Sequence, residues 1–350
     1  MKTYKALCIF TRILGGKTFS SLLESTLSDF PEIKRTNLDF EENDYQRIPT
    51  PKHMKISSIL HSAFIIKYKY KEEKIYINAY DFLLFQSYHL AGAFKSDIKR
   101  KPTLIALDST PQLANSGRLR SSPLKRILKS TLIKAFDLII FKPIFKNTDV
   151  FLARTQQVKN SLIDTYKVPP EKIYVTYIPT ETYPPQTIPP KSKPTLLFVG
   201  NDFERKGGPF IINVFNKYLE GKAELIIVST DKSIPSYNKK NIQVINGMPR
   251  EQLLELYKES AIFLFPSWHD ELGLALCEAM SAGMALIARD ITAQHELVTT
   301  GENGILMPYN STEKEWGDCI NQLLENPKTL NKYRENSFGK ANRILSREKF

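Results

Sequence analysis

Ile262-Phe-Leu-Phe265, then Pro266-Ser-Trp-His-Asp-Glu-Leu-Gly273-Leu-Ala-Leu-Cys-Glu-Ala-Met-Ser-Ala-Gly283-Met, then Ala285-Leu-Ile-Ala288, run on without interruption. The first four residues are apolar throughout. A proline and a polar loop follow, which predicts a strand buried on both faces that ends near Phe265. Residues 273–282 carry a helical pattern opened by a glycine. The next apolar run, Ala285–Ala288, predicts a second strand. Strand, loop, helix and strand in this order make one parallel unit with a right-handed crossover.

The same alternation extends in both directions. Towards the middle of the chain, Leu196–Val199, Glu224–Val228 and Ile242–Ile245 read as strands, with helical patterns at 208–219, 250–260 and 314–325. In the first half, Tyr4–Phe10, Ile75–Tyr80, Thr103–Leu107 and Val150–Ala153 read as strands. Residues 18–28, 56–70, 120–141 and 156–166 read as helices. Between the halves, Tyr177–Thr195 holds Pro179, Pro184, Pro185, Pro189, Pro190 and Pro194. Each proline fixes φ and removes a backbone donor, so no regular element is expected there. The expected organisation is an α/β chain of two parallel-sheet domains: 1–180, a proline-rich linker at 181–195, and 196–330, with a helical segment at 331–350. Two such sheets leave a cleft between them, and ligands of α/β sheets bind outside the carboxyl ends of the strands.

Composition narrows the function classes. The chain has 350 residues, 42% hydrophobic and 25% charged, as in a globular protein of two ordinary domains. Cys8, Cys277 and Cys319 are odd in number and far apart, which is neither a disulfide framework nor a metal cluster and suits a reducing, cytoplasmic compartment. The apolar stretch Ala6–Phe10 is too short for a signal peptide, and no run approaches the length of a membrane span. His53, His61, His89, His269 and His295 are scattered, and no Asp-x-Asp motif occurs, so neither a metal nor another cofactor is expected. The net charge of +12 is uneven: residues 1–185 hold 29 Lys and Arg against 17 Asp and Glu, and residues 186–350 hold 20 of each. That imbalance points to an anionic partner for the first half. A nucleic-acid partner is not expected, because no aromatic–basic interleaving accompanies the charge.

The loop and helix of the opening stretch carry three acids, Asp270, Glu271 and Glu278. The amides of Leu272, Gly273 and Leu274 would stand free at a helix N-terminus, where the dipole favours an anion, and Gly273 lets a ligand approach the backbone. Acids near a helix start also serve as plain caps, so either acid alone would say little. Phe198-Val-Gly-Asn-Asp-Phe-Glu-Arg-Lys-Gly-Gly208 places Arg205 and Lys206 after a strand and before a helix, where positive charge suits a diphosphate.

Asp270, seven intervening residues and Glu278 resemble the E-x7-E motif of family 4 retaining glycosyltransferases. Gly283-Met-Ala-Leu-Ile, Glu296-Leu-Val and Gly301-Glu-Asn-Gly304-Ile-Leu resemble that family's next segments. The resemblance implies the GT-B fold, two Rossmann-like domains facing across a cleft, with the acceptor on 1–180 and the nucleotide-sugar on 196–330. It puts the nucleotide ribose on Glu278 and the donor sugar on Asp270, which is one methylene shorter than the family's glutamate, with Glu271 beside it as a substitute. It puts the diphosphate on Arg205 and Lys206; the family's arginine often stands where this chain has Asn201. The family's last helix returns to the first domain, which bears on 331–350.

In the first half, Gly15-Gly16 follows a strand and precedes a helix, which suits a phosphate or acceptor and equally an ordinary turn. Asp108, in Leu107-Asp-Ser-Thr-Pro111, ends a strand where the resemblance implies a polar group facing the reacting sugar, with an Asx turn as the equal alternative. Thr155 resembles the family's serine at the next strand end. Residues 118–146 are basic and apolar at helical spacing, which fits either a helix resting on anionic lipid or a sheet-packed helix with solvated lysines. The reading that joins these features is metal-independent, retaining transfer of a hexose from a nucleoside diphosphate sugar to a hydroxyl of a lipid or glycan. Its rivals are a sugar-nucleotide epimerase on the same fold and a non-catalytic sugar-nucleotide or membrane-binding module.

Overall fold

The computed structural model describes residues 2–13, 15–51, 58–116, 139–185, 193–234 and 241–346. The chain divides into two compact units, Met1–Thr176 and Tyr177–Phe350.

The first unit holds a parallel sheet of β1 (Tyr4–Thr11), β2 (Ile33–Phe40), β3 (Phe82–Gln86), β4 (Thr103–Leu107), β5 (Val150–Ala153) and β6 (Ile173–Val175), in the order β2-β1-β3-β4-β5-β6. Helices Gly15–Ser28, Ser58–Glu72 and Gln156–Asp164 pack with it. Two departures from the sequence reading are instructive. Ile75–Tyr80 is not a strand: Ile77–Ala79 coil into a short 3-10 turn, and Tyr76 is 73% exposed. The strand begins after Asp81, whose carboxylate accepts from the Lys5 amide at 2.7 Å, and it uses the more continuous apolar run Phe82-Leu-Leu-Phe85. β2 went unread because Ile33-Lys-Arg-Thr-Asn-Leu-Asp-Phe40 is largely polar, and only its second half is buried. An edge strand needs no continuous apolar run.

The second unit holds β7 (Thr195–Val199), β8 (Glu224–Ser229), β9 (Ile242–Asn246), β10 (Ile262–Phe265), β11 (Ala285–Arg289) and β12 (Gly304–Met307), in the order β12-β11-β10-β7-β8-β9, again parallel. Both faces are buried. Ile262, Leu264, Leu196, Phe198 and Ile287 lie in one apolar cluster, and Phe263, Phe265, Leu197 and Leu286 in the other. Alternate residues thus serve opposite faces, which is why these strands are apolar throughout. Helix Pro327–Ile344 closes this unit: Leu330 and Tyr333 enter one cluster, and Ala341 the other. Tyr177–Pro185 also lies on it: the Thr180 amide donates to the Leu345 carbonyl at 3.0 Å, and the Tyr183 amide to the Ser281 carbonyl at 2.7 Å.

The strand order sets where a ligand can sit. From β7 the chain steps outward to β8 and β9, then returns past β7 to β10 and steps the other way. The loops leaving β7 and β10 therefore part company between neighbouring strands, and the crevice so formed is the topological switch point. In the first unit the same reversal occurs between β1 and β3.

Candidate functional site

The loop after β7 and the loop after β10 interlock through their backbones. Gly207 has φ +81°, and a Cβ built on it would stand 2.4 Å from the Pro266 carbonyl oxygen, so only glycine fits there. The Trp268 amide donates to the Arg205 carbonyl at 2.9 Å, and Arg205 Nη1 donates to the His269 carbonyl at 2.5 Å. Arg205 is also held by Asp202, 2.7 Å from its Nε. Asn201, at the position the family often gives to arginine, accepts from the Thr230 amide at 3.1 Å and so ties the β7 loop to the β8 loop.

Lys206 reaches across to Asp270. Its ammonium donates to the carboxylate and lies 5.5 Å above the Phe265 ring. Both side chains are mostly buried, 18% and 17% exposed. Thus Arg205, Lys206 and Asp270 meet at one end of the second sheet.

Beyond Asp270 the chain turns into helix Leu274–Ser281. Gly273 makes this turn at φ +91°, and a Cβ there would stand 2.6 Å from Phe265. The carbonyls of the loop are engaged. The Thr292 hydroxyl donates to the carbonyls of Asp270 and Glu271, and the buried Gln294 amide donates to those of Glu271 and Leu272, at 3.3 and 3.2 Å. The amides of Leu272, Gly273 and Leu274 have no acceptor among the described residues, and a helix N-terminus presents such amides to an anion.

Glu278 sits on this helix and is 7% exposed. Arg250 Nη1 donates to its Oε1 at 2.8 Å, and the Tyr257 hydroxyl donates to its Oε2 at 3.2 Å. Burial first, and then the charge of Glu278, push the Tyr257 phenol well above its usual pKa, so it stays a neutral donor.

Arg289, at the end of β11, is fully buried, and among the described residues no carboxylate pairs with it. It stacks 3.8 Å from the Trp268 ring centre and 4.8 Å from that of Phe210, and donates to the carbonyls of Pro266 at 3.2 Å and Tyr309 at 2.5 Å. Burial lowers its pKa to about 10. It braces the loops after β10 and β12. Arg250, Tyr257, Thr292, Gln294 and Arg289 were all missed in the sequence. The one legible signal was the spacing of Arg250 and Tyr257, two turns apart on a single helix face.

The remaining candidates belong to the first unit. Gly15 and Gly16 open helix Gly15–Ser28. A Cβ on Gly16 would stand 2.7 Å from Thr11, so the helix start is packed against the end of β1. Gln86, at the end of β3, ties this corner together: it accepts from the Thr11 amide at 3.1 Å and donates to the Gly16 carbonyl at 2.7 Å. Asp108 is exposed in the bend after β4. Thr155 caps helix Gln156–Asp164, accepting from the Val158 amide at 3.0 Å. Of the basic stretch 118–146, residues 118–138 lie outside the described part. At its visible end Phe141, Ile144 and Phe145 are buried, while Ile139 is 70% exposed beside exposed Lys142 and Lys146. Among the described residues no helix is long and apolar enough to cross a membrane.

Residues 179–340 match the family described as glycosyl transferases group 1. The matched segment spans most of the second unit. An uncharacterised glycosyltransferase of Methanocaldococcus jannaschii is 29% identical over 60% of this chain and 58% of its own length. A probable sucrose-phosphate synthase of Thermosipho melanesiensis is 28% identical over 54% of this chain and 50% of its own. The chain thus spans about half the length of these curated relatives. Among solved structures, a sucrose-phosphate synthase from Thermosynechococcus elongatus superposes with a TM-score of 0.75 at 15% identity, covering 99% of this chain and 96% of that one. Anabaena HepE in complex with UDP-glucose does so with a TM-score of 0.68 at 14% identity, covering 98% and 96%. The fold is GT-B, and the second unit is similar in sequence to the glycosyl transferases of group 1. Asp270, Glu278, Arg205 and Lys206 all lie inside the matched segment.

Proposed function

We propose that the chain transfers a hexose from a nucleoside diphosphate sugar to a hydroxyl acceptor, with retention of anomeric configuration and without a metal ion. One observation carries the reading: Lys206 meets Asp270 where the loops after β7 and β10 interlock at the switch point, and the helix that follows opens with the amides of 272–274 and carries the buried carboxylate of Glu278. In this reading Glu278 accepts the ribose hydroxyls. The diphosphate lies against Lys206, Arg205 and the helix amides, and takes Lys206 from Asp270. Asp270 is then released to accept a hydroxyl of the donor sugar, with Glu271 beside it.

Negative charge grows on the leaving phosphate oxygen as the C1–oxygen bond breaks, so the basic pair stabilises the transition state more than the bound donor. The acceptor oxygen bonds to C1 on the same face, and its proton passes to the departing phosphate oxygen. No protein nucleophile is required. Asp108 is assigned to the reacting sugar, and Gly15 and Gly16 to the donor side, against a phosphate. The acceptor is a lipid or glycan hydroxyl, met at the cytoplasmic membrane surface through residues 118–146; exposed Ile139, followed by exposed Lys142 and Lys146, supports this part. A sugar-nucleotide epimerase is the weaker reading, because the family matched is one of transferases.

The test is a thermal-shift screen across nucleoside diphosphates and their sugars, begun with UDP-glucose because a structural neighbour holds it, followed by product analysis with EDTA present. A donor that raises the melting temperature and is consumed only with an acceptor, in EDTA, supports the proposal. Isomerised donor without acceptor, or activity that chelation abolishes and a divalent ion restores, overturns it.

A further inference from the structure

Glu278 has two oxygens with about four lone-pair sites between them. Each oxygen is already engaged once: Oε1 by Arg250 at 2.8 Å and Oε2 by Tyr257 at 3.2 Å. Both donors come from one helix, Arg250–Glu259, and stand two turns apart on the face turned to Glu278. The carboxylate is therefore gripped at both ends by a single rigid element. One acceptor site is left on each oxygen, side by side, which is the arrangement that a vicinal diol satisfies.

We propose that Tyr257 and Arg250 are positioning residues that orient Glu278 to read two adjacent hydroxyls at once, so that the site selects ribonucleotides over deoxyribonucleotides. The inference rests on the assignment of Glu278 to the ribose. The Tyr257 ring is 1% exposed and packs on Phe263 at 5.8 Å between ring centres, so its hydroxyl cannot follow a rotating carboxylate. A carboxylate fixed in this way meets both hydroxyls of a ribose. A 2′-deoxyribose leaves one of its oxygens without a donor in a place where water has little access. A site built to hydrogen-bond a hydroxyl rejects an analogue that lacks it, because the site's own group is then left unpaired. Without the Tyr257 hydroxyl, the carboxylate can turn to give both acceptor sites to a single hydroxyl, and the distinction weakens.

A role confined to tying helix Arg250–Glu259 to helix Leu274–Ser281 predicts something else. Loss of the Tyr257 hydroxyl would then lower stability and weaken ribose and deoxyribose ligands by the same factor.

The experiment measures affinity by calorimetry for ribo- and 2′-deoxy forms of ADP, GDP and UDP, with the whole chain. The wild type is expected to prefer the ribo form of its best ligand by about tenfold or more, the scale of one hydrogen bond to a charged group. In Tyr257→Phe the preference should fall to about threefold or less. Arg250→Ala, whose side chain is 58% exposed and whose loss opens no cavity, should lower it likewise and serves if Tyr257→Phe fails to fold. A wild type that binds a diphosphate but shows no ribo preference overturns the ribose assignment itself. A wild-type preference that persists unchanged in the folded variants overturns the positioning role alone.

Discussion

Lys206 and Asp270 hold each other, and this has a consequence of opposite sign for two ligands. A plain nucleoside diphosphate needs Lys206 but offers nothing to Asp270, so it must break the pair without compensation. Asp270→Asn should therefore tighten a plain diphosphate by about three- to tenfold, the scale of a partly exposed ion pair. Transfer from the sugar donor should fall at the same time. Calorimetry and turnover on one preparation check both, and weaker diphosphate binding in the variant would sink the exchange. A second residue sets the turn into the helix. Gly273→Ala meets a left-handed φ of +91° and a ring atom at 2.6 Å, so it should cost at least about 1–2 kcal/mol. Thermal unfolding and diphosphate affinity should drop together, since the amides at 272–274 shift with the turn. A variant with wild-type affinity would show that the turn does not place the ligand.

Between elements, the first unit is joined at one corner by an ion network. Arg12, just past β1, pairs with Glu24 of helix Gly15–Ser28 at 2.8 Å and with Asp39 of β2 at 3.0 Å. The hydrogen bond from Arg12 is the main reason that Glu24 titrates below the usual glutamate range. A carboxylate with a depressed folded-state pKa contributes stability above its unfolded pKa of 4.5 and loses it as pH falls through the folded value. Urea unfolding of wild type and Glu24→Gln should differ most near pH 7, and the difference should shrink as pH falls below 4.5. A gap that stays constant with pH would mean packing, not charge, is what Glu24 supplies. Gly15 and Gly16 begin the helix that Arg12 secures.

At the scale of the whole molecule, the excess positive charge belongs to residues 1–185, while the cluster of Arg205, Lys206, Asp270 and Glu278 belongs to the second unit. The proposed membrane contact and the proposed donor site thus fall on different units, so their disruption should separate. Sedimentation with phosphatidylglycerol vesicles should carry the protein down at low salt and release it at high salt, since exposed charges are screened beyond about 8 Å at physiological ionic strength. Lys125, Arg126 and Lys129 changed together to Glu should abolish vesicle binding and leave nucleotide binding intact. Wild type that stays in the supernatant at low salt would refute the membrane contact and make a soluble acceptor the better substrate to try.

The sequence by itself determined the parallel α/β architecture, most of the strands and the outline of the candidate site. Strands buried on both faces must be apolar throughout, as Ile262–Phe265 and Ala285–Ala288 are, and glycines at 207 and 273 mark turns that other residues cannot make. Such demands are local and leave a local trace. β2 left none, because an edge strand can be polar, and Ile75–Tyr80 left a false one, because an apolar run alone does not exclude a turn. Only the tertiary structure decided which groups converge. The order β12-β11-β10-β7-β8-β9 makes neighbours of β7 and β10, and so brings Lys206 to Asp270 across 64 positions of chain. It also set Tyr257 and Arg250 on Glu278 and buried Arg289 among aromatics. Pairings between distant segments depend on strand order and crossover path, which the residue pattern along any one segment does not encode.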